Sequence, residues 1–582
     1  MEDRIRRLEE QVAELASSLA RVEARLERMP AADTASLLEP AVAETEGAPL
    51  VGPLEERGLP RVLSLLGRSL LILGGAYVFR MAAESGALPP LPGVLLGLLY
   101  AILWMALADR AGTRGAKLSA AFFGVTSALI AFPLLWEATS RFHALSAEAA
   151  SLLVAGGTGL GLAIAWRQDL PALAWSAVGL ALTAVVGLFE RTFAILPLTA
   201  VVIAQGAATL WLAYGRRRWT GLRWPAAAAA DLAVAALVLL ASHPASLPPE
   251  YRGLTSPRAI AVVLLLPAAY LAGFAIETIA RRGCARAFEA AQSAAAILVG
   301  FGGALAIAHA SQGGVGALGA AGAAAAAVSY AVAFVLFEKR ESAVGNGRFY
   351  SGLALLFLLI SGIFAFPAAL TVPLFSILAA AAALASRRSG RSLLEAHALL
   401  YFLAAAIAAG SARAAVETFA SSLPGPPPLP RLGAIFPLLA AVFVVGALLS
   451  AARRGETGWQ TTIPSAGASG LALLLAGALF VALAARALSL SDPGALAALR
   501  TGVLAAFAFL LAAAYSASRI RELRFLAWAT LALAAIKLLA QDLPAGRPAT
   551  LLLAFALLGG ALIFAPRLLA RRAAAPRGRD LS

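Results

Sequence analysis

Three side chains near the end of the chain have the types and spacing for chemistry inside a membrane. Lys537, Asp542 and Arg547 stand in AAIKLLAQDLPAGRP, with the lysine inside an apolar run and the carboxylate five residues on. An ammonium and a carboxylate are expensive in hydrocarbon and persist there where they pair, carry protons or line a polar path. The choice of lysine is informative. Of 47 basic residues only Lys117, Lys339 and Lys537 are lysine, the rest being arginine. A compact, titratable ammonium can do what a permanently charged guanidinium cannot. Two readings are open for Lys537: it snorkels to the interface, or it pairs with Asp542 or with an acid on another span, such as Glu84.

Similar charges recur elsewhere. RMAAE (Arg80 to Glu84) is followed by SGALPPLP, and RAAVE (Arg413 to Glu417) by TFASSLPGPPPLP. Arg and Glu four apart share a helix face. With Glu190 and the Lys537 group, these residues either anchor helix ends at the interface or converge on one outward-facing polar cavity. Asp231 is different. It lies about seven residues into an apolar run, in AAAAADLAV, roughly 10 Å along a helix. Its side chain is too short to snorkel far, so it faces protein or water or is protonated. Gln205, midway along the preceding run, is a candidate partner. The readings for Asp231 are a proton- or cation-coupling site and a hydrogen-bonded packing carboxyl.

No catalytic, metal or cofactor pattern accompanies these groups. P-loop, HExxH and GxSxG motifs are absent. His143, His243, His309 and His397 are scattered, and Cys284 is the single cysteine, which excludes an internal disulfide. No metal or cofactor is expected, and whether the chain is an enzyme stays open.

The elements that must position these residues are plain in the composition. Hydrophobic residues make up 60% of the 582 and charged residues 14%, against about a quarter charged in a soluble protein. The apolar residues form about eighteen blocks long enough to cross a bilayer, give or take two. The expected fold is an all-α polytopic membrane protein, with antiparallel transmembrane hairpins over residues 59–566. The net charge of +15 is read as topology signal and not as nucleic-acid binding. Basic clusters such as Arg216, Arg217 and Arg218, or Arg281, Arg282 and Arg286, fall in loops after even-numbered spans, and loops after odd-numbered spans hold far fewer. Both termini are therefore expected in the cytoplasm of a bacterial inner-membrane protein. The recurring charges then fall at the outer ends of odd-numbered spans. Glycine-dense runs, such as Gly156 to Gly159 and Gly300 to Gly303, predict close helix packing.

The chain opens differently. Ile5, Leu8, Val12, Leu15, Leu19, Val22, Leu26 and Met29 form an unbroken a/d heptad seam. Residues 1–30 are expected as a cytoplasmic coiled-coil helix that pairs with a second copy or a partner protein, or that packs on its own membrane body or the lipid surface. There is no apolar h-region, so no cleavable signal peptide is expected. Residues 31–58 read as an acidic flexible linker, and residues 567–582 as a basic cytoplasmic tail. Membrane lipids are the other expected partner.

Two stretches carry a family resemblance. Residues 59–109 are similar to the first hairpin of a bacterial family of multi-span membrane proteins, the domain of unknown function 2339. There a basic, Gly-containing first span ends in a turn of the form ESG-L-P. Residues 523–572 resemble that family's C-terminal hairpin, with a Lys inside a span (Lys537), an Asp-Leu pair (Asp542 and Leu543) and an Arg opening the last span (Arg547). The resemblance implies an envelope membrane protein and supplies no catalytic residues. Three functions are therefore expected: a transporter-like or lipid- and envelope-handling protein with an outward polar cavity; a non-catalytic envelope scaffold assembled through residues 5–29; or an intramembrane transferase acting on lipid-linked substrates.

Overall fold

The computed structural model describes residues 89–570, except 216–218, 247, 252, 338–343, 421–424, 453–458, 519 and 546–547, together with a few positions between 67 and 81. The heptad seam of residues 5–29, the linker 31–58, Arg80, Glu84, Arg547 and residues 571–582 lie outside the described residues.

The chain is an all-α polytopic membrane protein. Among the described residues there is no strand, and sixteen helices are long and apolar enough to cross a membrane. A bent pair adds a seventeenth. The first eight helices are α1 (Pro90–Thr113), α2 (Lys117–Ser140), α3 (Ala147–Gln168), α4 (Pro171–Thr192), α5 (Ile195–Gly215), α6 (Arg223–Ala241), α7 (Ser256–Ala280) and α8 (Ala287–Ala310). There follow α9 (Val315–Leu336), α10 (Val344–Ala365), α11 (Ala368–Ser389), α12 (Ser392–Ala408) and α13 (Ser411–Ala420). The last five are α14 (Ile435–Ala452), α15 (Trp459–Ala487), α16 (Pro493–Ser518), α17 (Arg521–Asp542) and α18 (Pro548–Ala570). Every apolar block expected beyond the first one, which lies mostly outside the described residues, has its helix here. A helix is the form such a run must take, because hydrocarbon offers its backbone no other hydrogen-bond partner. Proline opens α16 and α18, where a missing N–H leaves no bond unmade.

Two departures from straight α-helix shape the site. The segment carrying Arg413 and Glu417 does not continue the helix before it. Gly410 adopts a left-handed φ of 69°, and α12 and α13 meet at 75°. Only glycine takes that conformation without strain. Arg413 and Glu417 thus sit on a separate ten-residue helix instead of ending a straight span. The second departure is π-helix. It ends α7 (Ile276–Ala280), interrupts α8 (Ala296–Phe301), and ends α9 (Val332–Leu336) and α17 (Leu538–Asp542).

The chain divides into two compact units. One comprises residues up to Leu145 with Leu160–Leu180. In it α1 and α2 form a hairpin, and Asp109 accepts hydrogen bonds from Arg167 and, at 2.8 Å, from Gln168. The other comprises Ser146–Gly159 and everything from Ala181 on. Its C-terminal helices enclose a core that includes Phe375, Phe402, Val444, Val481 and Ala508, all buried. Close packing falls on one of the two glycine-dense runs. A Cβ at Gly300 would stand 2.5 Å from the Pro267 ring of α7, and one at Gly303 would stand 2.4 Å from Val238 of α6. At Gly156 and Gly159 a Cβ would meet nothing within 4 Å.

Candidate functional site: a buried Lys–Thr–Asp network

The site starts from the pattern of α17. Its buried residues include Leu523, Leu526, Ala527, Leu531 and Ala534, spaced at threes and fours, and Lys537 is the next member of that stripe. The helix therefore aims the ammonium at its neighbours, and Lys537 is 5% exposed. Asp542 would not join it on a continued α-helix, where five residues turn through about 500° and leave the two side chains ~140° apart. The π-turn over Leu538–Asp542 closes most of that offset. Its backbone bond runs from the N–H of Leu543 to the carbonyl of Leu538, five residues back, and a π-turn widens the helix by that one residue. Lys537 Nζ and Asp542 Oδ1 then meet at 2.5 Å, with the carboxylate 2% exposed.

The neighbouring helix completes the network. α16 buries Ala497, Arg500 and Thr501 together. Lys537 Nζ donates to Thr501 Oγ1 at 2.9 Å and to the Ala497 carbonyl at 3.1 Å. The three ammonium protons thus meet a carboxylate, a hydroxyl and a carbonyl, which saturates the group. The Thr501 hydroxyl in turn donates a hydrogen bond to Asp542 Oδ2. Arg500 is 3% exposed and close enough to act electrostatically on both Asp542 and Lys537. One carboxylate thus stands between two buried cations. Arg500 is the eighth residue of α16 and is buried among the helices.

No family model, curated protein or solved structure matches the chain.

The other expected residues are placed as follows. Arg413 and Glu417 pair with each other at 2.7 Å on the exposed face of α13, at 86% and 50% side-chain exposure. They do not reach Lys537. The link between α13 and the network is Gln541, whose amide donates to the Ala420 carbonyl at 3.1 Å. Opposite its charges α13 buries Ala415, Thr418 and Phe419. A cavity of about 20 Å³ lies beneath it, among Ser411, Thr418, Pro428, Ala434 and Leu475, with room for about one water. Glu190 is exposed in the last turn of α4. Gln205 is buried on α5, and the amide that donates to Asp231 Oδ1, at 2.8 Å, belongs to Gln292 of α8.

Two more polar groups come from residues that composition alone does not single out. Arg223, the first residue of α6, pairs with Glu289 at 2.9 Å while its guanidinium lies 4.2 Å from the Phe288 ring centre. Tyr330 of α9 bonds His397 Nδ1 at 2.9 Å and the Tyr401 hydroxyl at 2.6 Å. Both His397 and Tyr401 are 2% exposed. His397 and Tyr401 are four apart on α12, so one helix face carries both. Among the described residues no three of His, Cys, Asp and Glu gather as a metal site would need.

Proposed function

We propose that the chain is a transporter-like or lipid-handling protein of the bacterial inner membrane. In this reading the α16–α17 pair is its moving part and the Lys537–Asp542 pair holds that part closed. The reading rests on one observation: a complete ion pair, with a second cation within electrostatic reach, is buried among the helices where α17 ends and α16 begins. Hydrophobic residues of similar volume would serve packing as well or better. A buried charge network at a π-turn therefore favours a role in movement. The basic loops argue for cytoplasmic termini, which puts the network in the outer half of the membrane. The family resemblance at the two ends of the membrane body argues for an envelope setting.

The saturation of the network favours a second reading. Every ammonium proton of Lys537 is used, as in a static brace, and a scaffold assembled through residues 5–29 would need no more. Complementation of a deletion strain separates the two. The transporter-like reading expects Lys537→Ala, produced at wild-type level, to fail and Lys537→Arg to restore function only partly. Full complementation by Lys537→Ala, together with loss of function on removing residues 1–30, would replace it with the scaffold.

A further inference from the structure

The helices α6 and α8 are tied by two polar rungs of different kinds. On the first, Glu289 takes the Arg223 guanidinium and the backbone N–H of Arg286, each at 2.9 Å. On the second, eight residues or ~12 Å further along α6, Asp231 takes the side-chain amide of Gln292 at 2.8 Å. Glu289 and Gln292 are three apart on α8 and share its face. The charge accounts of the rungs differ. Glu289 faces a guanidinium, as Asp542 faces an ammonium, whereas Asp231 is bonded to a neutral amide. No cation among the described residues lies within ion-pair distance of it.

The bond to Gln292 suits both protonation states of Asp231. Titratable or charged side chains on the helices packed against α6 are Tyr214 on α5; Arg258, Tyr270 and Glu277 on α7; and Glu289 and His309 on α8. Of these, Tyr270 is the one within electrostatic reach of Asp231. Its ring is fully buried and its hydroxyl has no hydrogen-bond partner among the described residues. The hydroxyl points at α5, where a Cβ on Gly206 would stand 2.3 Å from it. Ser293, next to Gln292, is equally buried and equally without a partner. The Gln292 amide can serve Asp231 with or without its proton, its NH2 donating to a carboxylate and, after an amide flip, its Oε1 accepting from a carboxylic acid. The π-turn of α8 begins at Ala296, three residues beyond Ser293, and π-turns interrupt helices at functional sites. Asp231 itself is half-buried, so its carboxyl is not sealed off.

We propose that Asp231, held by Gln292, is a proton-binding site within the membrane, loaded and unloaded as the protein works. The site is separate from the Lys537 network, so either can fail without the other. Infrared difference spectra of the full chain in lipid, taken between mildly acidic and mildly alkaline pH, test it. The expected result is a protonated-carboxyl C=O band that titrates in wild type and is lost in the isosteric Asp231→Asn. If that variant does not fold, a hydrophobic carbodiimide, which reacts with protonated carboxyls in membranes, is applied to wild type and the adduct located by mass spectrometry. Labelling of Asp231 that falls as pH rises supports the site. No labelling at any pH, while exposed Glu417 is modified, would mean a permanently charged carboxylate; labelling indifferent to pH would mean a permanently neutral one. Either result overturns the proposal.

Discussion

Asp542 should matter more to stability than Lys537, although they form one pair. Removing one member of a buried pair costs roughly 3–5 kcal/mol, because the other is left charged without a partner. The remainders differ here. In Lys537→Met, Asp542 keeps the Thr501 hydroxyl and the field of Arg500, so the loss should lie near ~3 kcal/mol. In Asp542→Asn, Lys537 and Arg500 are left as two buried cations that repel each other, and the loss should approach ~5 kcal/mol. Removing both charges in Lys537→Met/Asp542→Leu should cost much less than the sum. The expected coupling is at least ~2 kcal/mol, well beyond the ~0.5 kcal/mol scatter of independent sites. Unfolding of the three variants in detergent or lipid measures this directly. Additive losses, or a larger loss for Lys537→Met than for Asp542→Asn, would refute the reasoning.

Other perturbations have equally definite outcomes. Thr501→Val leaves one ammonium proton and one carboxylate lone pair unused and should destabilise by about 1–3 kcal/mol in the same assay. Gly300→Ala drives a methyl into the rigid Pro267 ring and towards the Val263 carbonyl at 3.2 Å; it should cost about 1–3 kcal/mol, and wild-type melting would show that α7 and α8 do not pack as described. Arg223→Lys keeps the charge opposite Glu289 but loses the planar stack on Phe288, with an expected loss of ~0.5–2 kcal/mol. Gln541→Ala frees the Ala420 carbonyl and should speed tryptic cleavage after the exposed Arg413 in native membranes; an unchanged rate would show that α13 is held by its apolar face alone.

How much was legible in the sequence follows from which physical rule governs each feature. The spans were legible because hydrocarbon thickness and backbone satisfaction leave a long apolar run little choice. The bend at Gly410 was not. The apolar run gives way to SARAAVETFA just past Gly410, but a polar, charged continuation reads equally well as the wet end of one helix, and glycines also occur inside helices here, as at Gly362 and Gly446. Lys537 and Asp542 stood out as charges in an apolar run, but their meeting depends on a π-turn, and α-helical spacing puts them on different faces. Arg500 and Arg223 do not stand out in the sequence, because each lies within a turn or two of a helix start, where an arginine either reaches water or turns inward. Only a partner decides between these: Glu289 for Arg223, and the charge of Asp542 for Arg500. Gln292 carries no charge and lies in a polar patch at the start of α8, so nothing in one sequence distinguishes it from Gln205 as the ligand of Asp231.

The central claim is that the Lys537–Asp542 pair closes a path that otherwise opens. Ala534 is fully buried and lies one turn before Lys537 on the same stripe of α17. The exposed Cys284 is first replaced by serine, and Ala534→Cys is then treated in intact cells with a maleimide that does not cross the membrane. Slow modification is predicted with Lys537 present, and modification at least about tenfold faster in Lys537→Ala, the effect of ~1.4 kcal/mol on an opening equilibrium. A cysteine at this position that stays unmodified in both backgrounds, in intact cells and in inside-out membrane vesicles alike, would contradict the account.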